Sequence, residues 1–225
     1  MSPLVKICGL RSVEALDAAL QAGADLVGFV RYPRSPRHLG LEEGRELSVR
    51  ARGRAVRVAL TVDASDEELA NIVETIDPDR IQLPGEETPE RAAEIRAHFG
   101  RPVMKAVGIA EKRDLARLAD YAEAADRVLL DAKPPKTAEA LPGGNGLSFD
   151  WRLVANLDPK LPFMLSGGLT PENVGAAVAL TGMRALDVSS GVERAPGEKD
   201  PEKIEAFVRA ARAAWADLDR KDKVA

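Results

Sequence analysis

The sequence predicts an α/β fold in which one domain forms a (β/α)8 barrel, a TIM barrel. Short apolar runs alternate with amphipathic, helix-like stretches along the chain, and several of the runs end in glycine-rich segments. In such barrels the segments that follow the strands form the face that carries the chemistry. The length of 225 residues also suits a single barrel domain.

Eight strands are predicted from apolar periodicity, at residues 4–7, 26–30, 57–61, 80–83, 102–106, 127–130, 162–165 and 185–188. Helices are predicted between them at 13–22, 66–75, 89–99, 114–121 and 171–180, and a last helix at 201 to about 217. Ser65 with Glu68 forms a capping box, and Thr88 and Thr170 each precede a first-turn proline. Eight strands joined by right-handed crossovers favour a closed barrel over an open doubly wound sheet.

Composition limits the domain organisation and the partners. We expect a barrel domain at residues 1–218 and a frayed polar tail at 219–225. The 32 Lys and Arg residues against 36 Asp and Glu give a net charge of -4, so no nucleic-acid partner is expected. No apolar run reaches the roughly 20 residues of a membrane helix, so no membrane partner is expected either. A lone cysteine and a start without a signal-peptide pattern favour the cytoplasm.

Cys8 stands at the end of the first predicted strand, directly before Gly9. Side chains alternate along a strand, so Lys6 and Cys8 point to the same face. A lone cysteine is most often a buried packing residue. A neighbouring lysine would favour the thiolate, however, and a thiolate at a strand end would serve as a base or nucleophile.

Two further strand ends carry reactive groups. Asp131 follows an apolar run, where it would cap a helix, form an ion pair at the rim, or donate a proton if apolar walls favour its neutral form. Lys105 ends the fifth predicted strand, and a desolvated lysine there would suit a phosphosugar aldolase that works through a Schiff base.

The segments after the seventh and eighth strands predict a phosphate site. Gly167-Gly168 and Ser189-Ser190-Gly191 bring backbone N–H groups and hydroxyls to one place on the rim. Arg37 lies in a loop between prolines, where it would be a solvated charge or a rigid anchor for a carboxylate. His38 and His98 are the only histidines and belong to no metal cluster, so no metal is expected.

Taken in order, the motifs resemble those of the phosphoribosylanthranilate isomerases, single-domain barrel enzymes of tryptophan biosynthesis. The resemblance spans both ends of the chain. Its segments are Lys6-Ile7-Cys8-Gly9-Leu10, Gly23-Ala24-Asp25, Gly28-Phe29-Val30, Ser35-Pro36-Arg37, Gly143-Gly144-Asn145-Gly146, Phe149-Asp150-Trp151, Ser166-Gly167-Gly168-Leu169, Pro171-Glu172-Asn173-Val174, residues 187–193, Pro196-Gly197 and Lys199-Asp200.

The resemblance implies an Amadori rearrangement of N-(5-phosphoribosyl)anthranilate to 1-(2-carboxyphenylamino)-1-deoxyribulose 5-phosphate, without a metal or organic cofactor. It implies that Asp131 is the general acid, that Cys8 is the general base, and that Arg37 holds the anthranilate carboxylate. The phosphate would be held by Gly167, Gly168, Ser189, Ser190 and Gly191. Further substrate contacts would come from Gln82, Asp187 and Gly144.

Two positions depart from the family's pattern. Pro84 stands where the family usually has histidine, and Arg31 stands where it usually has an aromatic residue. Neither change touches Cys8 or Asp131, so we expect catalysis to be retained and substrate fit to be altered. A barrel that binds phosphosugars but has lost much of its turnover is the alternative. The expected partner is a small phosphosugar, and the protein is expected to be a monomer or homodimer.

Overall fold

A closed barrel of parallel strands forms the centre of the molecule. The computed structural model describes residues 2–135, 141–158 and 161–222, and within them eight strands pair in chain order. They are β1 (Leu4–Cys8), β2 (Leu26–Arg31), β3 (Val56–Thr61), β4 (Arg80–Leu83), β5 (Val103–Ile109), β6 (Arg127–Ala132), β7 (Phe163–Leu165) and β8 (Ala185–Val188). Pairing of β1 with β8, from Leu4 beside Ala185 to Ile7 beside Val188, closes the barrel. The predicted fold class is confirmed.

Helices pack around the barrel. In the described residues they are α1 (Val13–Gln21), α2 (Leu41–Ala51), α3 (Asp66–Ile76), α4 (Pro89–Phe99), α5 (Leu118–Ala124), α6 (Val174–Thr181) and α7 (Pro201–Asp222). The Ser65 hydroxyl accepts the backbone N–H of Glu68, and Thr88 caps α4 with Pro89 in its first turn, as the sequence predicts.

Helix α2 and a small hairpin are features that the sequence did not predict. Gly44 lies inside α2 and weakens the helical pattern. Its missing side chain instead lets α2 approach α3, since a Cβ at this position would lie 2.8 Å from Ile76 Cδ1. The hairpin consists of β9 (Glu193–Ala195) and β10 (Glu198–Lys199) and follows β8 outside the barrel.

Two predicted helices have different bounds. The region predicted at 114–121 is a 3₁₀ helix, Lys112–Arg117, followed by α5. Helix α6 begins at Val174 rather than at 171. The Asn173 side chain accepts the backbone N–H of Thr170, and this turn delays the helix. The prediction of a Thr170 cap is therefore wrong.

The chain also departs from the prediction after β6 and at its end. Between β6 and β7 the described residues hold a 3₁₀ turn, Trp151–Leu153, and no α-helix. Helix α7 continues to Asp222, so the tail predicted at 219–225 is helical over its first part. An ion pair of Arg184 with Asp219 fastens this part to the barrel. Residues 223–225 lie outside the described residues.

The barrel interior is apolar at one end and polar at the other. Its apolar layer contains Leu26, Val58, Met104, Leu129, Met164 and Ala185. Nearer the carboxyl ends of the strands, the inward positions carry Lys6, Gln82, Asp131 and Asp187. The apolar layer therefore forms a packed floor beneath a set of polar side chains.

Packing between barrel and helices accounts for the tryptophans. Trp215 of α7 is buried and donates its Nε1–H to the carbonyl of Met183 at 2.8 Å. Trp151 is partly buried against the same core. His98 is exposed near the end of α4. No helix among the described residues has the length and apolar character needed to span a membrane.

Candidate active site

A cleft of about 820 Å³, its open mouth included, lies at the carboxyl ends of the strands. Most of the residues predicted to form the site line this one cleft. These are Cys8, Arg37, Gln82, Asp131, Gly144, Gly167, Gly168, Asp187, Ser189 and Ser190. Pro84 lines it as well, whereas Gly191 is not among its lining residues.

Cys8 is buried at the end of β1 and is a thiol in the resting protein. Burial raises the pKa of Cys8, and the charge of Asp187 raises it further. Lys6 and Lys199 act in the opposite direction but do not outweigh burial. Lys6 favours the thiolate, as the sequence predicts, but the pKa of Cys8 is raised overall. Desolvation of the thiol is the larger effect.

Lys6 forms a buried ion pair with Asp187. Its Nζ lies 2.8 Å from Asp187 Oδ1, and both side chains are almost inaccessible to solvent. Burial by itself would lower the pKa of Lys6, but the Asp187 carboxylate holds that pKa above its ordinary value. The hydroxyl of Ser166 donates to Asp187 Oδ2 at 3.2 Å. Lys6 and Ser166 thus fix the position of the Asp187 carboxylate in the cleft lining.

Asp131 has the opposite character, because its carboxyl is about half protonated near pH 7. Burial, together with the negative charge of Asp187, raises the pKa of Asp131 to about 7. One hydrogen bond, from the backbone N–H of Ala132 to Oδ1 at 2.8 Å, acts against this shift. Between β6 and β7 the described residues hold no α-helix, so the structure offers no helix end for Asp131 to cap.

The segments after β7 and β8 meet at the rim of the cleft. Gly167, Gly168, Ser189 and Ser190 line it, as predicted. Gly191 instead packs against the carbonyl oxygen of Leu169, where a Cβ would overlap that oxygen. Its missing side chain lets the two segments touch, and its contact with phosphate stays a prediction.

Arg37 is a buried anchor rather than a solvated charge. Its Nε and Nη2 donate to the two carboxylate oxygens of Glu193 at 2.7 and 2.8 Å. The remaining nitrogen, Nη1, faces Gly144, which lines the cleft, since a Cβ on Gly144 would lie 2.5 Å from it. The sequence pointed to Arg37 but not to Glu193. The two residues lie 156 positions apart in the chain, and no sequence pattern links them.

Gln82 brings an unsatisfied polar group to the cleft. Its side chain is buried, and Oε1 has no hydrogen-bond partner among the described residues. Buried carbonyl oxygens are normally satisfied, so this oxygen is suited to accept a hydrogen bond from a ligand.

Lys105 does not suit the Schiff-base alternative. Its Nζ donates to the carbonyls of Leu83 and Gly85 at 3.0 and 2.5 Å and to Glu87 Oε2 at 3.0 Å, so its three N–H groups are all engaged. The side chain lies near the ring of Tyr121 of α5, outside the barrel, and Lys105 is absent from the described lining of the cleft.

Arg31 turns away from the cleft. Its Nη1 donates to the carbonyl of Leu39 and lies 3.5 Å from Nε2 of His38. The next residue, Tyr32, places an aromatic side chain in the cleft lining instead. The positive charge of Arg31 is therefore not part of the cleft lining.

The fold and the cleft define a class of protein: an α/β-barrel enzyme with its polar site at the carboxyl ends of the strands. Among the residues described, no group of three or more His, Cys, Asp or Glu side chains is arranged to hold a metal ion. The family model described as N-(5'-phosphoribosyl)anthranilate (PRA) isomerase matches residues 5–210. The chain belongs to this family, and it is an isomerase of tryptophan biosynthesis.

Individual relatives agree with this assignment. The N-(5'-phosphoribosyl)anthranilate isomerase of Rhodopseudomonas palustris is 58% identical over 213 residues, which cover 95% of this chain and 97% of the relative. The crystal structure of phosphoribosylanthranilate isomerase from Thermotoga maritima is 36% identical, with a TM-score of 0.84, and covers 95% of this chain and 100% of that one. A phosphoribosylanthranilate isomerase bound to reduced 1-(o-carboxyphenylamino)-1-deoxyribulose 5-phosphate is 35% identical, with a TM-score of 0.81 and the same coverage.

Proposed function

We propose that the protein converts N-(5-phosphoribosyl)anthranilate into 1-(2-carboxyphenylamino)-1-deoxyribulose 5-phosphate, with Asp131 as general acid and Cys8 as general base. One observation supports this most strongly: a carboxyl whose pKa is about 7 and the chain's one thiol line the same cleft. The reaction needs one proton donor and one proton acceptor and no other reagent. We place this reaction in the cytoplasm.

The acid acts in the first step. Asp131 donates its proton to the ring oxygen of the ribose, the bond between C1 and that oxygen breaks, and the lone pair of the anilino nitrogen forms an iminium with C1. Asp131 is left as a carboxylate. A pKa of about 7 suits this task, because general acids work best when their pKa lies near the operating pH.

The base acts in the second step. Cys8, as thiolate, removes the proton from C2, and the electrons of that C–H bond form the C1–C2 double bond while the iminium electrons return to nitrogen. The resulting enolamine tautomerises to the ketone at C2. The positive charge of the iminium makes the C2 proton more acidic, so a thiol base is strong enough.

The resting protonation states are the reverse of those needed. Catalysis requires neutral Asp131 with ionised Cys8, yet the pKa of Asp131 is about 7 and burial raises the pKa of Cys8 above its ordinary value. Because the base then has the higher pKa, only a small fraction of the protein carries both groups in the required form at any pH. The pH profile of kcat/KM should accordingly be a low, broad bell whose limbs follow the pKa values of Asp131 and Cys8.

The rest of the cleft would bind the substrate. Arg37 would hold the anthranilate carboxylate, and Gln82 Oε1 would accept a hydrogen bond from the substrate. Asp187 would contact a sugar hydroxyl, and Gly144 would cover the ligand. The phosphate would lie against Gly167, Gly168, Ser189 and Ser190, where glycine allows close approach of the backbone to an anion.

A fluorescence assay that follows the loss of phosphoribosylanthranilate tests the proposal. We expect Cys8→Ser and Asp131→Asn each to lower kcat by about 10²- to 10⁴-fold, the usual range for a general acid or base. Far-ultraviolet circular dichroism should show both variants folded. Turnover that persists in Cys8→Ser would exclude the thiol as the base, because the chain has no other cysteine.

Pro84 decides between full and weakened turnover. It lines the cleft where the family usually has histidine, and proline offers no N–H group. We expect Pro84→His to change KM more than kcat. Equal kinetics in the two proteins would show that this position is unimportant, whereas binding without product in the parent would favour the non-catalytic alternative.

A further inference from the structure

The β9–β10 hairpin packs against the loop that carries Arg37. Gly197, between its two strands, lies so close to the carbonyl oxygen of Pro36 that a Cβ would overlap that oxygen. Arg11 Nη1 donates to the same carbonyl at 2.8 Å. The hairpin thus supports this loop from outside the barrel.

The hairpin also carries the groups that fix the Arg37 side chain. Glu193 at its start accepts two parallel hydrogen bonds from Arg37, and this forked geometry holds a guanidinium in one plane. Lys199 at its end donates to Glu193 Oε1 at 2.6 Å and to the carbonyl of Ser189 at 3.0 Å. The hydroxyl of Ser189 in turn donates to the carbonyl of Cys8 at 3.1 Å. One chain of contacts therefore joins Arg37, Ser189 at the rim of the cleft and the backbone of Cys8.

We propose that Glu193 is a positioning residue that makes the site selective for an aminosugar bearing an aromatic carboxylate. With Nε and Nη2 bound to Glu193, only the Nη1 edge of Arg37 is left to meet a ligand. Glu193 thereby decides where the ligand carboxylate lies. This inference rests on the proposed function, in which Arg37 binds that carboxylate.

Charge alone does not account for the arrangement. Arg37 and Lys199 carry two positive charges and Glu193 one negative charge, which leaves one positive charge in the cluster. Burial lowers the pKa of Lys199 to about 8, and the charge of Glu193 acts against that fall. In Glu193→Gln, Lys199 would therefore lose its proton near neutral pH, and one positive charge would still remain. The substitution removes the fork while keeping the net charge.

Two ligands separate positioning from structural support. The first is reduced 1-(o-carboxyphenylamino)-1-deoxyribulose 5-phosphate, and the second is the same molecule without the carboxyl group. Isothermal titration calorimetry of the parent protein should show a clear preference for the first. If it shows none, the proposed role of Arg37 fails, and that result is known before any variant is made.

We expect Glu193→Gln to weaken binding of the carboxylated ligand by about 10- to 100-fold, as misplacement of an anchoring group by about 1 Å can do. Binding of the second ligand should change less than about twofold. Glu193→Asp keeps the charge but shortens the side chain, so it should show the same selective loss even if the glutamine variant does not fold. Glu198→Gln, an exposed position of the same hairpin paired with Arg194, is the matched control and should bind both ligands like the parent.

An equal loss for both ligands in Glu193→Gln and Glu193→Asp would overturn the inference, because it would show a structural role only. Unchanged binding of both ligands would overturn it too. A double-mutant cycle sharpens the result: once Arg37→Gln is present, Glu193→Gln should cause no further loss for the carboxylated ligand.

Discussion

Asp131→Asn should stabilise the protein at alkaline pH while abolishing most of its activity. The pKa of Asp131 is raised from 3.8 to about 7 in the folded protein. A raised carboxyl pKa means that folding favours the protonated form. The contribution of the protonated carboxyl to the free energy of unfolding is fully present below pH 3.8 and is lost as the pH rises through 7. Asparagine, which never ionises, avoids that loss.

The size of the effect follows from linkage. A difference of about three pKa units corresponds to about 4 kcal/mol, and about 2.5 kcal/mol of this falls between pH 5 and pH 8. The hydrogen bond from Ala132 N–H to Asp131 Oδ1 can be kept by the asparagine oxygen. We therefore expect the advantage of the variant over the parent to grow by about 2.5 kcal/mol from pH 5 to pH 8.

Urea unfolding of parent and variant at pH 5, 6, 7 and 8 measures this difference. Comparing the same pair of proteins at each pH cancels any fixed effect of the substitution. Asp114→Asn is the matched control. The bond to Lys133 and two backbone N–H groups hold the pKa of Asp114 below its ordinary value despite burial, so it stays ionised throughout this range and its difference should be constant. A constant difference for Asp131→Asn as well would refute a raised carboxyl pKa.

Three further substitutions test other parts of the structure. Gly144→Ala should lower kcat/KM about 10- to 100-fold in the fluorescence assay, because the new methyl would lie 2.5 Å from Arg37 Nη1 and the φ of this residue is 72°. Kinetics equal to those of the parent would mean that Gly144 does not lie beside Arg37 during catalysis. Lys105→Met should lower the free energy of unfolding by about 3–5 kcal/mol, because it leaves Glu87 as a buried unpaired charge, and a borohydride adduct at Lys105 in the parent would contradict its structural role. Asp187→Asn should move both limbs of the pH profile of kcat/KM to lower pH, because the Asp187 carboxylate raises the pKa of both Asp131 and Cys8. An unchanged profile would show that the charge of Asp187 does not affect these two pKa values.

The barrel and most of its cleft were predictable because they depend on short-range patterns. Strand ends are marked by apolar runs that stop at glycine, and a parallel barrel brings all such ends to one face. Cys8, Asp131 and the rim segments could therefore be assigned to one site before their positions were known. Helix bounds were less predictable, as at Asn173, where a side-chain hydrogen bond delays the helix.

The partners of the site residues were not predictable, because they come from distant parts of the chain. Glu193 meets Arg37 only after the hairpin folds back on the loop after β2, and no local pattern records that contact. The protonation of Cys8 depends on burial, which sequence spacing does not give. In the same way, Lys105 looked reactive in sequence, and its role became evident only from its three acceptors.

Burial and the charge of Asp187 explain why the carboxyl of Asp131 and the thiol of Cys8 both resist ionisation. Asp187 forms an ion pair with Lys6, and its negative charge discourages ionisation of the two groups beside it. The ion pair thus carries fixed charges, whereas the carboxyl of Asp131 and the thiol of Cys8 are both shifted toward their neutral forms. Buried ion pairs of this kind seldom add stability compared with apolar packing. A better explanation is electrostatic: the carboxylate of Asp187 adds to burial in raising the pKa of Asp131 to about 7, and Lys6 acts against it, so the two charges adjust the pKa of the proposed acid.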